Sequence, residues 1–173
     1  PICLEYYHHH RAKVYFNSTV EKIDTAQGIA RLKDKSCISY DRLLIAAGAR
    51  PYKPTIAGLE GRGVHYLWTQ ENVKQLQVDF LPGKKLLVLG SGFIALQSAW
   101  IAVRKGLKVT ICELMPRILP TAMDEQGARL LYRRMINYGV NIKVGTRVER
   151  FERKPNGEIN VFIGEDKPAV FDC

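Results

Sequence analysis

A glycine-rich segment near the middle of the chain restricts the possible folds more than any other feature. Residues 90–95 read Gly90-Ser91-Gly92-Phe93-Ile94-Ala95 and fit the pattern G-x-G-x-x-G/A. The segment follows an apolar run at 86–89, typical of a buried strand, and begins an apolar stretch at 93–105 that predicts a helix. A second strand is predicted at 108–112, so the segment lies inside a β-α-β unit. This arrangement predicts an α/β fold with a parallel sheet.

An acidic residue follows the second predicted strand. Glu113 lies 23 residues beyond Gly90, close to the spacing of a dinucleotide-binding fingerprint. Gly90 allows a sharp turn, Gly92 lets a pyrophosphate approach the backbone, and Ala95 lets the helix pack closely on the sheet. The first amides of the helix would bind the phosphates, and Glu113 would accept hydrogen bonds from ribose hydroxyls. A tight glycine turn without a ligand is the alternative.

The choice between the two nicotinamide dinucleotides depends on charge. The carboxylate of Glu113 would repel a 2′-phosphate, so we expect NAD(H) to bind in preference to NADP(H). Arg117, four residues further on, could offset that charge, which leaves the alternative open.

The remaining patterns extend this α/β fold. A helix is predicted at 124–138 and a third parallel strand at 141–144, followed by an antiparallel meander at 148–153, 159–163 and 169–171. Before the glycine-rich segment, residues 54–81 have the composition of a linker and contain one helix that begins after Thr69. Nearer the start, the patterns predict the end of a helix at 4–10, short strands at 13–16, 19–23, 29–32 and 37–40, and a strand buried on both faces at 43–47.

Composition argues against several classes of protein. The net charge is +9, but the basic residues are scattered and do not alternate with aromatic residues, so we expect no nucleic-acid partner. No apolar run is long enough to span a membrane. The four cysteines form no C-x-x-C pair, so we expect reduced thiols, no metal site and a cytoplasmic location.

Three segments resemble the flavoprotein pyridine nucleotide-disulfide oxidoreductases. Residues 40–51, YDRLLIAAGARP, are similar to that family's YDxLxxATGxxP segment. Residues 89–99 resemble its second dinucleotide motif, in which Gly90, Ser91, Gly92, Phe93 and Ile94 match the pyrophosphate loop. Residues 117–124, which contain RILP followed by Met-Asp, resemble a third conserved stretch of the family. The resemblance extends over nearly the whole chain.

The resemblance implies a particular domain organisation. Residues 1–53 would be the later part of the first segment of an FAD-binding domain, and 54–81 would be a linker. Residues 82–173 would be a Rossmann-like three-layer NAD(P)-binding domain with a parallel sheet and an antiparallel β-meander, truncated at its C-terminal end. We therefore expect the chain to be an excised fragment. Strand 43–47 should lack its sheet neighbours, and so be disordered or pair with another copy of the chain.

The resemblance also assigns roles to single residues. Phe93 matches an aromatic position that covers the nicotinamide pocket, with core packing as the alternative. Val148 matches a residue whose backbone lies near the adenine. Val20 and Gly48 match positions near FAD, which the intact parent would bind. Gln97 stands near the nicotinamide, where the family usually has Glu.

The resemblance implies that the parent protein passes hydride from NADH to flavin and then electrons to an unidentified acceptor, a redox protein or a small molecule. The two cofactors carry this chemistry, so no catalytic residue is expected within the chain, which should be inactive by itself. Because Gln97 replaces a carboxylate, the alternative is a non-catalytic NAD(H)-sensing or partner-binding module of the same fold. The oligomeric state stays open, with a homodimer as one alternative.

Overall fold

The chain forms two compact units that divide at the Ala49–Arg50 bond. The structure, a computed structural model, describes residues 4–164 and 167–173. None of the helices in these ranges has the length and apolar character needed to cross a membrane.

The first unit contains a short helix and a three-stranded antiparallel sheet. Its elements are α1 (Leu4–His9), β1 (Val20–Asp24), β2 (Ile29–Leu32) and β3 (Cys37–Ser39), with the strands in the order β1-β2-β3. The turn between β1 and β2 is stabilised by Asp24, whose Oδ1 accepts hydrogen bonds from the N–H groups of Ala26 and Gln27. Asp and Gly favour such a turn, and Gly28 adopts a φ of 64° there.

Two predicted strands of the first unit are not present. The prediction at 13–16 is wrong, because this segment is irregular and Phe16 is 64% exposed. Residues 43–47 form no strand either, and Leu44 is 88% exposed. An apolar run becomes a strand only when neighbouring strands share its hydrogen bonds, and none of the described strands pairs with either segment.

The second unit follows the predicted order of elements closely. Its helices and strands are α2 (Gln70–Asp79), β4 (Lys85–Leu89), α3 (Phe93–Arg104), β5 (Lys108–Cys112), α4 (Glu125–Asn137), β6 (Asn141–Lys143), β7 (Val148–Arg153), β8 (Ile159–Ile163) and β9 (Ala169–Phe171). Strands β4, β5 and β6 form a parallel sheet in that order, and β7, β8 and β9 form an antiparallel one. The predicted α/β fold class is therefore confirmed.

The parallel sheet is the middle of three layers, as successive residues of β4 show. Leu86 and Val88 pack with side chains of α3 and α4, including Ala99, Ala102 and Met135. Leu87 and Leu89 point to the opposite face and pack against the meander. Because strands alternate their side chains, a strand covered on both faces must be apolar throughout, as the sequence at 86–89 is.

The segment predicted as a linker contains its helix but packs as part of the second unit. The helix α2 begins at the predicted N-cap, where the Thr69 hydroxyl accepts a hydrogen bond from Asn72 N–H. Leu76 and Phe80 are buried in the main core. Further back, Ala57 forms a parallel bridge with Arg150 of β7. Buried apolar side chains hold this segment in place, so the composition rich in Pro and Gly marks turns here.

Candidate functional site

Three loops meet at the carboxyl edge of the parallel sheet. Gly90 N–H, just after β4, donates to the carbonyl of Cys112 at the end of β5, with N and O 2.8 Å apart. Glu113 N–H in turn donates to the carbonyl of Lys143 at the end of β6, also at 2.8 Å. The structure thus brings Gly90 and Glu113 to adjacent strand ends, where open α/β sheets bind their ligands.

The glycine loop leaves a set of backbone donors free. Gly90 has a φ of +89°, a conformation that glycine adopts without strain. The N-cap of α3 is Gly92, which has no side chain to cap the helix, whereas Thr69 and Asp124 cap α2 and α4. Within the described part of the chain, the N–H groups of residues 92–95 have no hydrogen-bond partner. Free amides at a helix N-terminus form a site suited to phosphate.

Gly92 differs from the other glycines in that neither a positive φ nor a close contact with the described residues requires a glycine there. Its φ of −69° and ψ of 173° suit any residue. A Cβ added at this position would meet no atom within 4 Å. The absence of a side chain therefore leaves open space in front of the free amides, which fits a ligand that approaches the backbone closely.

Glu113 is 8% exposed and its carboxylate accepts three hydrogen bonds. Oε2 accepts from the N–H of Ser91 at 2.8 Å and from its hydroxyl at 2.6 Å. Oε1 accepts from Met115 N–H at 2.8 Å. An ionised carboxylate has about four acceptor positions, so one remains for a ligand.

Ser91 has a role that the sequence analysis did not assign. It was predicted as part of the pyrophosphate loop, yet it is only 1% exposed and both its N–H and its hydroxyl donate to Glu113. Its hydroxyl oxygen also accepts from Leu119 N–H at 3.3 Å. A short polar residue between two glycines, with an acid at the next strand end, is the signal that could have revealed this contact.

Arg117 is held within its own loop. Its guanidinium donates to the carbonyls of Leu119, Pro120 and Met123 at 3.2, 2.7 and 2.7 Å. The side chain is half-buried by these contacts. The positive charge of Arg117 is therefore occupied by backbone oxygens in this structure.

The first turn of α3 presents apolar side chains to solvent. Phe93 is 54% and Ile94 55% exposed, so the alternative of core packing is wrong for Phe93. Gln97, one turn further along, is exposed as well. A helix that began with core residues would bury these positions, so their exposure is compatible with contact to a ligand.

The loop that precedes β7 is joined to Glu113 through backbone hydrogen bonds. Thr146 N–H donates to the carbonyl of Glu113 at 2.9 Å, and Gly145 N–H donates to that of Met115 at 2.8 Å. Val148 follows within two residues and is buried in the core beneath the meander. In the first unit, Val20 begins β1 and is half exposed, and Gly48 has a φ of +73°.

Cys112, which directly precedes Glu113, has no features of a reactive thiol. The side chain is buried, and burial raises its pKa to about 11. The thiolate is the reactive form, so we expect this buried thiol to react slowly near neutral pH. It acts as a small core residue that packs with the apolar side chains beneath the meander.

The three-layer fold, the glycine turn into α3 and the acid at the end of β5 are the features of a Rossmann-type domain. The chain belongs to the family described as pyridine nucleotide-disulphide oxidoreductase, whose model matches residues 5–173. The resemblance inferred from three sequence segments is thereby confirmed.

Individual relatives agree with this assignment. The chain is 31% identical, over 91% of its length, to "Probable ferredoxin reductase CtmF" of Castellaniella defragrans and covers 38% of that protein. It is 29% identical, over 95% of its length, to rubredoxin-NAD(+) reductase of Pseudomonas putida and covers 43% of it. The solved structure of an NAD-dependent persulfide reductase from A. fulgidus superposes with a TM-score of 0.78 at 29% identity, over 97% of this chain and 32% of that one. The chain thus spans less than half the length of these relatives.

Proposed function

We propose that the chain is the NADH-binding portion of an FAD-dependent oxidoreductase. In the intact protein, hydride would pass from NADH to flavin, and electrons would then pass to an acceptor. The observation that carries this proposal is the N-terminus of α3 at Gly92. No side chain caps this helix end, and its free amides border a space that the described chain leaves empty. Family membership supplies the context.

Each residue of the site has a distinct part in this proposal. The amides of Gly92, Phe93 and Ile94 donate to the pyrophosphate, since that of Ser91 is already used by Glu113. Glu113 accepts from a ribose hydroxyl at its remaining acceptor position. Phe93 and Gln97, on the first two turns of α3, would face the nicotinamide, and Val148 would lie near the adenine. The cofactors supply the hydride chemistry, and these residues bind and orient.

The geometry favours NADH over NADPH as the nucleotide. A 2′-phosphate placed beside the ribose would meet the negative charge of Glu113. Arg117, the cation that could have offset this repulsion, is engaged by three backbone carbonyls. Discrimination therefore comes from one carboxylate and from the absence of a free guanidinium at position 117.

The parent protein would contain FAD, with Val20 and Gly48 of the first unit near it, and would work in the cytoplasm. Relatives are named for ferredoxin and rubredoxin, which favours a small redox protein over a small molecule as the electron acceptor.

Calorimetric titration of the chain with NADH and with NADPH tests the binding proposal. We expect NADH to bind, NADPH to bind more weakly, and Gly92→Val to abolish both interactions. The same variant should still fold, because its φ and ψ suit any residue and a Cβ at this position meets no atom within 4 Å. If the unchanged chain fails to bind NADH, or if Gly92→Val binds NADH with the same affinity, the proposed site is wrong.

Gln97 supports a second candidate, a module that binds NAD(H) without efficient turnover. The family usually has a carboxylate at this exposed position, and its loss removes a charge near the nicotinamide. Anaerobic mixing of the intact protein with NADH separates the two candidates. Rapid bleaching of the flavin absorbance would exclude the sensing module, and an unbleached flavin with bound NADH would favour it.

A further inference from the structure

Ser91 lies where it can control the orientation of the ribose-binding carboxylate. It is almost fully buried between β4 and α3, and its hydroxyl donates to Glu113 Oε2 at 2.6 Å. The same hydroxyl oxygen accepts from Leu119 N–H at 3.3 Å. A serine hydroxyl has a single proton, so accepting from Leu119 while donating to Glu113 defines its direction.

The hydrogen bonds around Glu113 divide its two oxygens into different roles. Oε2 already accepts two hydrogen bonds, both from Ser91. Oε1 accepts one, from Met115 N–H. Each carboxylate oxygen has about two acceptor positions, so Oε2 is filled and Oε1 keeps one. If each carboxylate oxygen accepted from one of the two ribose hydroxyls, Ser91 would have to give up one of its two hydrogen bonds to Oε2.

We propose that Ser91 is a positioning residue that sets the preference for NADH over NADPH, by holding Glu113 Oε2 so that Oε1 receives one ribose hydroxyl. The proposal rests on the proposed NADH site. A short hydrogen bond from a hydroxyl to an ionised oxygen is among the stronger kinds in proteins. The hydrogen bond therefore keeps the Glu113 carboxylate beside the ribose. There the carboxylate accepts from a hydroxyl and repels a phosphate.

Removal of the hydroxyl should change the two nucleotide affinities in different ways. In Ser91→Ala the carboxylate keeps the two backbone donors but loses its shortest bond, so it can turn away from the ribose. NADH then loses a well-placed acceptor, while NADPH no longer meets a fixed negative charge. The loss of one charge-assisted hydrogen bond corresponds to about a tenfold change in affinity.

The experiment measures the Kd of NADH and of NADPH for the chain and for three variants. Ser91→Ala tests the hydroxyl, and Glu113→Gln removes the charge. Ser98→Ala is the matched control, because it deletes a hydroxyl from the neighbouring helix α3 at a residue whose side chain has no described hydrogen bond. Thermal unfolding of each variant shows that the fold is retained. The double variant Ser91→Ala/Glu113→Gln completes a thermodynamic cycle.

We expect the ratio of the NADPH Kd to the NADH Kd to fall about tenfold in Ser91→Ala and to stay unchanged in Ser98→Ala. In the Glu113→Gln background, Ser91→Ala should have no further effect on the ratio. If Ser91 had a purely structural role, Ser91→Ala would weaken the binding of both nucleotides by the same factor. That result would overturn the proposal for Ser91 and leave the proposed NADH site intact. No NADH binding by the unchanged chain would overturn the proposed function, and this proposal with it.

Discussion

Arg117 donates to the carbonyl of Met123 at 2.7 Å and so closes the loop between β5 and α4. With the bonds to Leu119 and Pro120, one guanidinium holds three backbone carbonyls of this loop. This loop borders the proposed nucleotide site, because Leu119 N–H donates to the hydroxyl oxygen and to the carbonyl of Ser91. A single side chain thus holds the loop beside the proposed site, and its donors are used by backbone carbonyls.

Replacing Arg117 by alanine should therefore destabilise the fold without favouring either nucleotide. Three carbonyls would lose a charged donor in a half-buried loop, and we expect unfolding to become easier by about 2 kcal/mol. Urea denaturation measures this loss, and titration with both nucleotides checks the preference. A selective loss of NADPH binding in Arg117→Ala would show that the guanidinium leaves its carbonyls to contact a phosphate.

Gly58 and Gly157 form a matched pair for testing how the segment before α2 is attached. Both have positive φ, 76° and 87°. A Cβ at Gly58 would overlap the backbone carbonyl of Phe151 in β7, whereas one at Gly157 would meet nothing. We expect Gly58→Ala to lower the free energy of unfolding by about 3 kcal/mol and Gly157→Ala by about 1 kcal/mol.

The two glycine variants are compared by urea denaturation under the same conditions. Equal losses would mean that strain at positive φ explains both, and that the segment around Ala57 does not lie against β7 as described.

Asp172 links the end of the meander to the first parallel strand. Its Oδ2 accepts from Lys85 N–H at 2.8 Å, and Oδ1 pairs with the Lys84 ammonium at 2.9 Å. The hydrogen bond from Lys85 and the neighbouring lysine charges hold the pKa of this carboxyl below its usual value. Asp172→Asn should therefore lower stability at pH 7 by about 1 kcal/mol.

The pH dependence of that difference follows from the direction of the shift. A carboxyl with a lowered folded pKa stabilises the fold above its unfolded pKa of about 3.9, and the contribution is lost as the pH falls through the folded pKa. Thermal unfolding of the unchanged chain and of Asp172→Asn is measured from pH 7 to pH 2. Their unfolding temperatures should converge below about pH 4. A constant difference across that range would contradict this role.

The three cysteines of the described chain should differ in how fast they react with an alkylating reagent. Cys37 is exposed, whereas Cys112 and Cys173 are buried and burial raises the pKa of each thiol to about 11. At pH 7.5, iodoacetamide should modify Cys37 and leave the two buried thiols intact until urea is added. Peptide mass spectrometry assigns each site; Cys3 lies outside the described residues. Rapid native labelling of Cys112 would indicate that the parallel sheet opens readily.

How far the sequence predicts the structure depends on whether a segment finds its partners within the chain. The run 86–89 and the helix after Gly92 were predicted correctly, because β4, β5 and α3 are close in sequence and cover one another. The runs at 13–16 and 43–47 have strand-like composition but no described strand pairs with them. Composition indicates that a segment is able to form a strand, but the strand forms only when a neighbouring strand shares its hydrogen bonds.

The candidate site divides in the same way. Gly90, Gly92 and Glu113 follow from spacing, since a β-α-β unit brings the ends of adjacent parallel strands to one edge. The use of Ser91 by Glu113 does not follow from spacing, because a residue between two glycines can direct its side chain outward or inward. The engagement of Arg117 depends likewise on the path of its loop.

The sequence by itself determined the β-α-β unit, the glycine turn and the position of the acid, because these arise from local periodicity and from chain connectivity. Only the tertiary structure decided which polar atoms are satisfied within the protein and which stay free. Ser91 and Glu113 are 22 residues apart, yet their atoms lie 2.6 Å from each other. Hydrogen bonds act over such short distances that only the folded positions of the loops establish them.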